Sequence, residues 1–324
     1  MKVTPDQVTI VVPTLNEEEA IGRVIDELRA QGFDDILVVD GHSRDRTREI
    51  AEAKGARVIL QRGRGKADAI ATAVEHLDRP FVVIMDGDWT YPAYEIPRLL
   101  ELLDGSDEVI GVRARGRENI PLVNRVGNRV ITWVFNVLFG THLTDVCSGM
   151  YALRLERLRE VEFSTRGFSI EVEIAASVTS SGGEVREVPI RYRRRKGRSK
   201  LSRGLFGSVG QGIGIARDVI LLAARYNPVF LIFAGGSLLL IPGILLMGWV
   251  AWELLFFGVK HHVWAIIGIA LFTSGATSLS LAVLSLYLKR LELRMVRLVK
   301  EICRLGGSSP LASSTQLRGR PISR

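Results

Sequence analysis

The chain has 324 residues, room for one large domain or two modest ones. Hydrophobic residues make up 47% and charged residues 24%, which excludes a disordered chain and allows a sizeable core. Formal net charge is +8, and the mean hydropathy of +0.19 is high enough that apolar residues must be gathered in blocks. Two cysteines, Cys147 and Cys303, stand far apart in sequence, which excludes a disulfide scaffold and offers no metal-ligand spacing. The first residues lack a basic stretch followed by a long apolar run, so no signal peptide is expected there.

Residues 8–12 form a short β-branched run, the first predicted strand. Residues 17–30 carry helical periodicity through Ala20, Ile21, Val24, Ile25 and Leu28. A strand follows at 36–39, a helix near 47–54, a strand at 57–60, a helix at 67–77 and a strand at 81–85. This alternation, reaching to about residue 160, predicts a mostly parallel sheet covered by helices. In open α/β sheets ligands bind at the C-terminal ends of the strands.

Each of the four strands ends in a polar or glycine-rich cluster: Pro13-Thr14-Leu15-Asn16-Glu17-Glu18, Asp40-Gly41-His42-Ser43-Arg44-Asp45, Arg62-Gly63-Arg64-Gly65-Lys66 and Asp86-Gly87-Asp88. Turn chemistry and helix capping account for any one of them; Asn16 and Ser43 are good cap residues. Four in series at one sheet edge point to a site. Two carboxylates one residue apart, just past a buried strand, can converge on a hard divalent cation such as Mg²⁺ or Mn²⁺, which takes one or two carboxylates plus substrate phosphate oxygens. No EF-hand spacing follows Asp88, and no P-loop motif is present. Residues 62–66 can present amides and cations to a phosphate, or form a basic surface turn.

Toward the C-terminus, 229–252 is an uncharged run of 24 residues and 263–288 another of 26. About 20 helical residues cross a bilayer, so both are long enough; a pair of buried soluble helices is the alternative. Basic residues flank the pair: Arg217 and Arg225 before it, then Lys289, Arg290, Arg294, Arg297 and Lys300. The positive-inside bias then puts both termini in the cytoplasm. Residues 186–203 hold nine Lys or Arg against one acid, Glu187, enough to account for the net charge. That stretch can meet an acceptor anion, or anionic head groups, or both. The basic residues cluster beside the apolar runs and no nucleic-acid-binding motif is found, so no nucleic acid partner is expected. His261 and His262 read as interfacial loop residues, and Cys147 as a small buried residue.

The ordered motifs Pro13-Thr14-x-Asn16-Glu17, Val38-Val39-Asp40-Gly41-x-Ser43-x-Asp45-x-Thr47, Gly65-Lys66-Ala67 and Asp86-x-Asp88 resemble family 2 glycosyltransferases of the nucleotide-diphospho-sugar transferase (GT-A) fold. The resemblance runs on through Thr144-Asp145-x-x-Ser148-Gly149, residues 167–173, Glu187-Val188-Pro189-Ile190 and Arg195-x-Gly-x-Ser199-Lys200, covering about residues 8–205. It is greatest to dolichol-phosphate mannose synthases and related polyprenyl-phosphate glycosyltransferases. The fold class it implies is α/β, a Rossmann-like GT-A domain followed by two transmembrane helices. The expected organisation is a cytosolic catalytic domain at 1–205, a juxtamembrane amphipathic segment at 206–227, a helical hairpin at 228–290 and a basic, partly disordered cytoplasmic tail at 291–324.

The resemblance implies that Pro13, Asn16, Glu17, Asp40, Asp45, Lys66 and Asp86 hold the nucleotide, and that Asp86 and Asp88 hold Mg²⁺ or Mn²⁺. Asp88, Asp145 and Arg113 are the implied catalytic residues. Arg125, Arg195, Ser199 and Lys200 are the implied contacts to the acceptor phosphate. Two positions depart from the family pattern: Thr90 stands where relatives carry Gln, and Tyr151 where they carry Arg. The implied reaction is inverting transfer of one sugar from a nucleotide-diphosphate sugar, GDP-mannose or a UDP-hexose, to a polyprenyl or dolichyl phosphate in the membrane. Such an acceptor is already anionic, so holding two anions in line matters more than a general base. A homo-oligomer is compatible with the sequence. Two other functions compete. A processive polysaccharide synthase would carry Gln-x-x-Arg-Trp, which is absent, and a non-catalytic nucleotide-sugar-binding membrane protein would not need both Asp86 and Asp88.

Overall fold

The computed structural model describes residues 3–163, 170–196, 221 and 228–306. The chain divides into two units, residues 1–228 and 229–324.

The first unit is built on a seven-stranded sheet. Its strands are β1 (Val8–Thr14), β2 (Ile36–Asp40), β3 (Arg57–Leu60), β4 (Phe81–Ile84), β5 (Glu108–Arg115), β6 (Tyr151–Arg154) and β7 (Val185–Arg191), in the order β3-β2-β1-β4-β6-β5-β7. The first four are parallel, as the alternation of elements predicts. β6 runs antiparallel to both β4 and β5, and β7 is parallel to β5. Among the described residues, the α-helices of this unit are α1 (Ile21–Ala30), α2 (Thr47–Ala53), α3 (Lys66–Val74), α4 (Ile96–Leu103), α5 (Leu122–Phe139), α6 (Leu155–Arg159) and α7 (Ile170–Ser180). α1 buries Ile21, Val24, Ile25 and Leu28 against Val8, Ile10, Val12 and Ile36, the stripe that its periodicity marks. β1, β2 and β4 are almost wholly buried, because helices cover the central strands on both faces.

Two helices depart from that amphipathic rule. α7 buries all round, with Ile170, Val172, Ile174, Ala175, Ala176 and Val178 inside, yet also buries Glu171 and Glu173. α5 buries Val134, Phe135 and Leu138 but exposes Leu122, Val126, Val130, Trp133 and Val137. These five recur at intervals of four, four, three and four residues, a second apolar stripe along one helix.

The second unit comprises α8 (Pro228–Phe257) and α9 (His262–Gly306). Its windows 231–257 and 262–288, of 27 residues each, are long and apolar enough to cross a membrane. The two helices meet through glycine: a Cβ on Gly243 would lie 2.6 Å from the Phe272 nitrogen, and one on Gly275 would lie 2.5 Å from the Leu240 nitrogen. Ser278 adds a bond between helices, its hydroxyl donating to the Ile232 carbonyl at 3.0 Å. Small residues that let helix backbones approach are the usual means of packing in lipid. α9 continues beyond the expected end of the hairpin at residue 290, because the basic segment that follows keeps strong helix formers through 306. The expected amphipathic segment at 206–227 lies outside the described residues except for 221, and so does the tail beyond 306.

Glu108 opens β5 with its side chain buried and one carboxylate oxygen, Oε2, without a hydrogen-bond partner among the described residues. Burial alone pushes its pKa up to about 8. The folded state therefore holds a proton that the unfolded state releases near the ordinary glutamate value. Stability from this group is intact below about pH 4 and is lost as pH rises toward 8. Glu108→Gln should remove that loss: between pH 5 and pH 8 the unfolding temperature of the detergent-solubilised chain should fall less in the variant than in the wild type.

Candidate active site

The C-terminal ends of β1 to β4 converge on a cavity of about 1020 Å³. Its walls are residues 13–17 at and beyond the end of β1, Gly41, His42 and Arg44 after β2, residues 61–66 after β3, and residues 86–88 after β4. Arg195 closes it from the segment after β7. All four clusters singled out in the sequence thus meet, because parallel strands bring their C-terminal loops to one margin.

Hydrogen bonds between loops fix the side of the cavity formed after β1 and β2. The Asn16 N–H donates to Ser43 Oγ at 2.8 Å, Asn16 Oδ1 accepts from the Arg44 N–H at 2.8 Å, and the Glu17 N–H donates to Thr47 Oγ1 at 2.8 Å. Asp45 accepts from the Thr47 N–H and hydroxyl and from the Glu18 N–H. Burial raises the Asp45 pKa, but these bonds outweigh it and hold the carboxyl below its usual range. Asp40 is fully buried beneath the wall, where its Oδ2 accepts from the Ser43 N–H at 2.8 Å and stands 3.8 Å from Arg48. Neither Asp40 nor Asp45 lines the cavity; they brace the loop that does. Pro13, Asn16 and Glu17 line it directly.

The inner end is ionic. Lys66 Nζ lies 2.5 Å from Asp86 Oδ1 and 2.5 Å from Glu171 Oε1. Burial would lower the lysine pKa, yet Asp86 and Glu171 raise it well above the ordinary value, so Lys66 stays charged. Asp86 itself is raised, first by burial and then by Asp88 and Glu171, against the pull of Lys66. Asp88 accepts at Oδ1 from the Thr90 N–H at 3.1 Å and its hydroxyl at 2.5 Å, while Oδ2 stands 3.3 Å from Arg195. Arg195 also meets Glu17 at 2.5 Å. Glu171 belongs to a quoted motif but carries no expected role; its sequence signal is a pair of acids, Glu171 and Glu173, in an otherwise apolar helix.

The remaining expected residues fall elsewhere. Arg113 and Asp145 form a buried bidentate pair, at 2.7 Å and 2.6 Å, outside the cavity lining. Glu187 on β7 braces this pair by accepting from the Thr144 and Asp145 N–H groups. Arg125 sits on the exposed face of α5, beside Leu122, Arg129 and Trp133, and not in the main cavity. Thr90, where relatives carry Gln, is buried and donates its N–H and hydroxyl to Asp88. Tyr151 is buried within β6. Cys147, expected to be buried, is partly exposed, and desolvation together with Asp145 and Glu171 pushes its thiol well up, which disfavours the thiolate. Ser199 and Lys200 lie outside the described residues.

Asp86 and Asp88 fit a hard divalent cation by their donor chemistry. Among the described residues no group of three or more acidic, histidine or cysteine side chains could complete its shell. The set therefore suits an ion bound together with substrate oxygens.

The model of glycosyl transferase family 2 matches residues 9–161. Glycosyltransferase AglJ of Haloferax volcanii is 34% identical over 303 residues, which is 92% of this chain and 99% of that one. The chain belongs to glycosyl transferase family 2. It is a glycosyltransferase, as the motifs imply. A dolichyl-phosphate hexose transferase of Haloferax volcanii is 40% identical over 202 residues, covering 61% of this chain and 88% of its own. An undecaprenyl-phosphate mannosyltransferase of Micrococcus luteus is 31% identical over 224 residues, covering 62% and 90%. The fold matches that of glucosyl-3-phosphoglycerate synthase from Mycobacterium tuberculosis, crystallised with UDP, at a TM-score of 0.55 and 24% identity over 67% of this chain and 79% of that one.

Within this family member, Gly149 is the residue that leaves room for Asp86: a Cβ there would collide with the Asp86 carboxylate. Gly149→Ala should displace that carboxylate and lower glycosyl transfer about 100-fold, the scale of a 1 Å misplacement. The unfolding temperature should stay near that of the wild type, because the moving group is the end of a side chain.

Proposed function

We propose that this glycosyltransferase moves a single hexose, with inversion, from a nucleotide-diphosphate sugar to a polyprenyl or dolichyl phosphate at the cytoplasmic face of a membrane. The observation that carries this reading is Arg195 at 3.3 Å from Asp88. It brings a cation from the basic segment after β7 beside the carboxylates that would face the donor diphosphate. Donor and acceptor anions would then be held on either side of one anomeric carbon, where proximity and electrostatics supply most of the rate. Asp86 and Asp88 would hold Mg²⁺ or Mn²⁺, which when bound supplies Lewis-acid neutralisation of the leaving diphosphate.

The state of the carboxylates supports a phosphate acceptor. Asp145 has both oxygens on Arg113, and Asp86, Asp88 and Glu17 each face a cation. A sugar hydroxyl would need a general base from this set, whereas a phosphate monoester at neutral pH does not. Arg113 and Asp145 act, on this reading, by bracing the wall. GDP-mannose and a UDP-hexose both remain candidate donors, consistent with relatives named for hexose and mannose transfer to dolichyl and undecaprenyl phosphate.

A membrane location is supported from both units. α8 and α9 are long and apolar enough to span, and basic residues flank them. On α5, Leu122 is 67% exposed and Trp133 62%, beside Arg125 and Arg129. An apolar stripe edged by arginine suits the surface of an anionic bilayer, with the guanidinium groups at head-group phosphates.

Membranes containing the protein, given labelled nucleotide sugar and polyprenyl phosphate, should yield a labelled lipid that extracts into organic solvent. Label in a long water-soluble polymer would instead establish a processive synthase. Asp88→Ala should abolish transfer and leave membrane insertion intact. The double variant Val126→Glu, Val130→Glu should lower transfer to the lipid acceptor at least about tenfold while nucleotide binding is kept; transfer at the wild-type rate would exclude α5 from the bilayer.

A further inference from the structure

Trp89 stands between Asp88 and Thr90 with φ of 65°, a conformation that glycine adopts freely and a bulky aromatic residue does not. Strain of this kind persists where surrounding contacts over-determine it. The indole N–H donates to Glu27 Oε1 at 2.8 Å. Around the ring, the Arg193 guanidinium carbon lies 4.4 Å from the centroid, Lys196 Nζ 4.6 Å and the Arg23 guanidinium carbon 5.9 Å. Arg193 is tied to the same glutamate, at 2.7 Å.

The two cations nearest the ring come from one short segment, 192–196, and its backbone follows the turn. The Arg193 N–H donates to the Thr90 carbonyl at 2.8 Å, and the Lys196 N–H to the Asp88 carbonyl at 3.3 Å. Between those two residues lies Arg195, whose guanidinium reaches Asp88 and Glu17. The ring is therefore gripped by the residues on either side of the arginine that enters the cavity. A tryptophan present only to fill the core would not need three cations around its face, nor a strained backbone.

We propose that Trp89 is a positioning residue: its ring clamps segment 192–196 along the Asp88–Thr90 turn and so holds Arg195 at the Asp88 carboxylate. Its consequence for catalysis rests on the proposed role of Arg195 toward the acceptor phosphate; the clamp itself does not. The full-length protein in detergent micelles is compared with Trp89→Leu, which removes the aromatic face and the N–H, and Trp89→Phe, which keeps a face. Hydrogen–deuterium exchange of the 192–196 amides should speed up about tenfold in Trp89→Leu, while amides of β1 and β4 exchange as in the wild type. Trp89→Phe should restore most of the protection. In transfer assays Trp89→Leu should raise KM for polyprenyl phosphate about tenfold and leave KM for the nucleotide sugar within about twofold. Unchanged exchange at 192–196 in Trp89→Leu would overturn the proposal, as would a rise shared equally by β1 and β4, which marks a purely structural residue. A rise of both KM values together would overturn the positioning role. If the wild type transfers no sugar to polyprenyl phosphate, the function proposed above fails, and the exchange measurements still decide the clamp.

Discussion

Lys66 stands between Asp86 and Glu171, touching one oxygen of each, and the site is built outward from that partly buried ionic triad. Strand ends at one margin of a sheet bring their carboxylates close together. Like charges about 4 Å apart cost on the order of 4 kcal/mol near a protein surface, more where water is excluded. The chain counters this with cations from remote places. Lys66 opens α3, Glu171 lies 105 residues further on, and Arg195 reaches Glu17 across 178 residues. Lys66 and Asp86 keep about a third of their side-chain surface in solvent, so screening weakens the pairs, and their main effect is to fix which distant segments face each other at the site.

Those ion pairs also define what the cavity can accept. Asp86 and Asp88 each have one oxygen facing a cation of the protein. On the proposed reading, a diphosphate bound with a divalent ion would offer each side what it lacks: phosphate oxygens for Lys66 and Arg195, and an ion for the two carboxylates. The protein cations would then act as counter-charges that substrate takes over.

Backbone strain is concentrated in the same place. The described residues outside glycine with positive φ are Asn16, His42 and Trp89, and each lies in the loop after a parallel strand. Asn16 and His42 line the cavity, and Trp89 follows the carboxylate pair. Such conformations cost roughly 1–3 kcal/mol each and survive because neighbouring segments hold them, Ser43 in the loop after β2 on Asn16 and Glu27 of α1 on Trp89. The sheet supplies the rigidity, and the loops carry the strain that shapes the site.

Much of this was legible in the residues. The alternation of apolar runs predicts the first four strands, their parallel order and the margin where ligands bind, since period and turn chemistry are local properties. Two uncharged runs of bilayer length are equally local. The polar clusters after each strand mark that margin, and of the residues the resemblance implies there, Pro13, Asn16, Glu17, Lys66, Asp86 and Asp88 line the cavity. Tertiary structure decided the rest, because partner choice depends on which distant segments the fold makes neighbours. It put Asp40 and Asp45 behind the wall, and it paired Asp145 with Arg113. Arg125 went to the exposed face of α5, beside an apolar stripe and away from the cavity. It also gave Glu171 to Lys66 and Trp89 to the arginines of a segment about 100 residues away. Local spacing sets where a side chain leaves the backbone; only the packed chain sets what it meets.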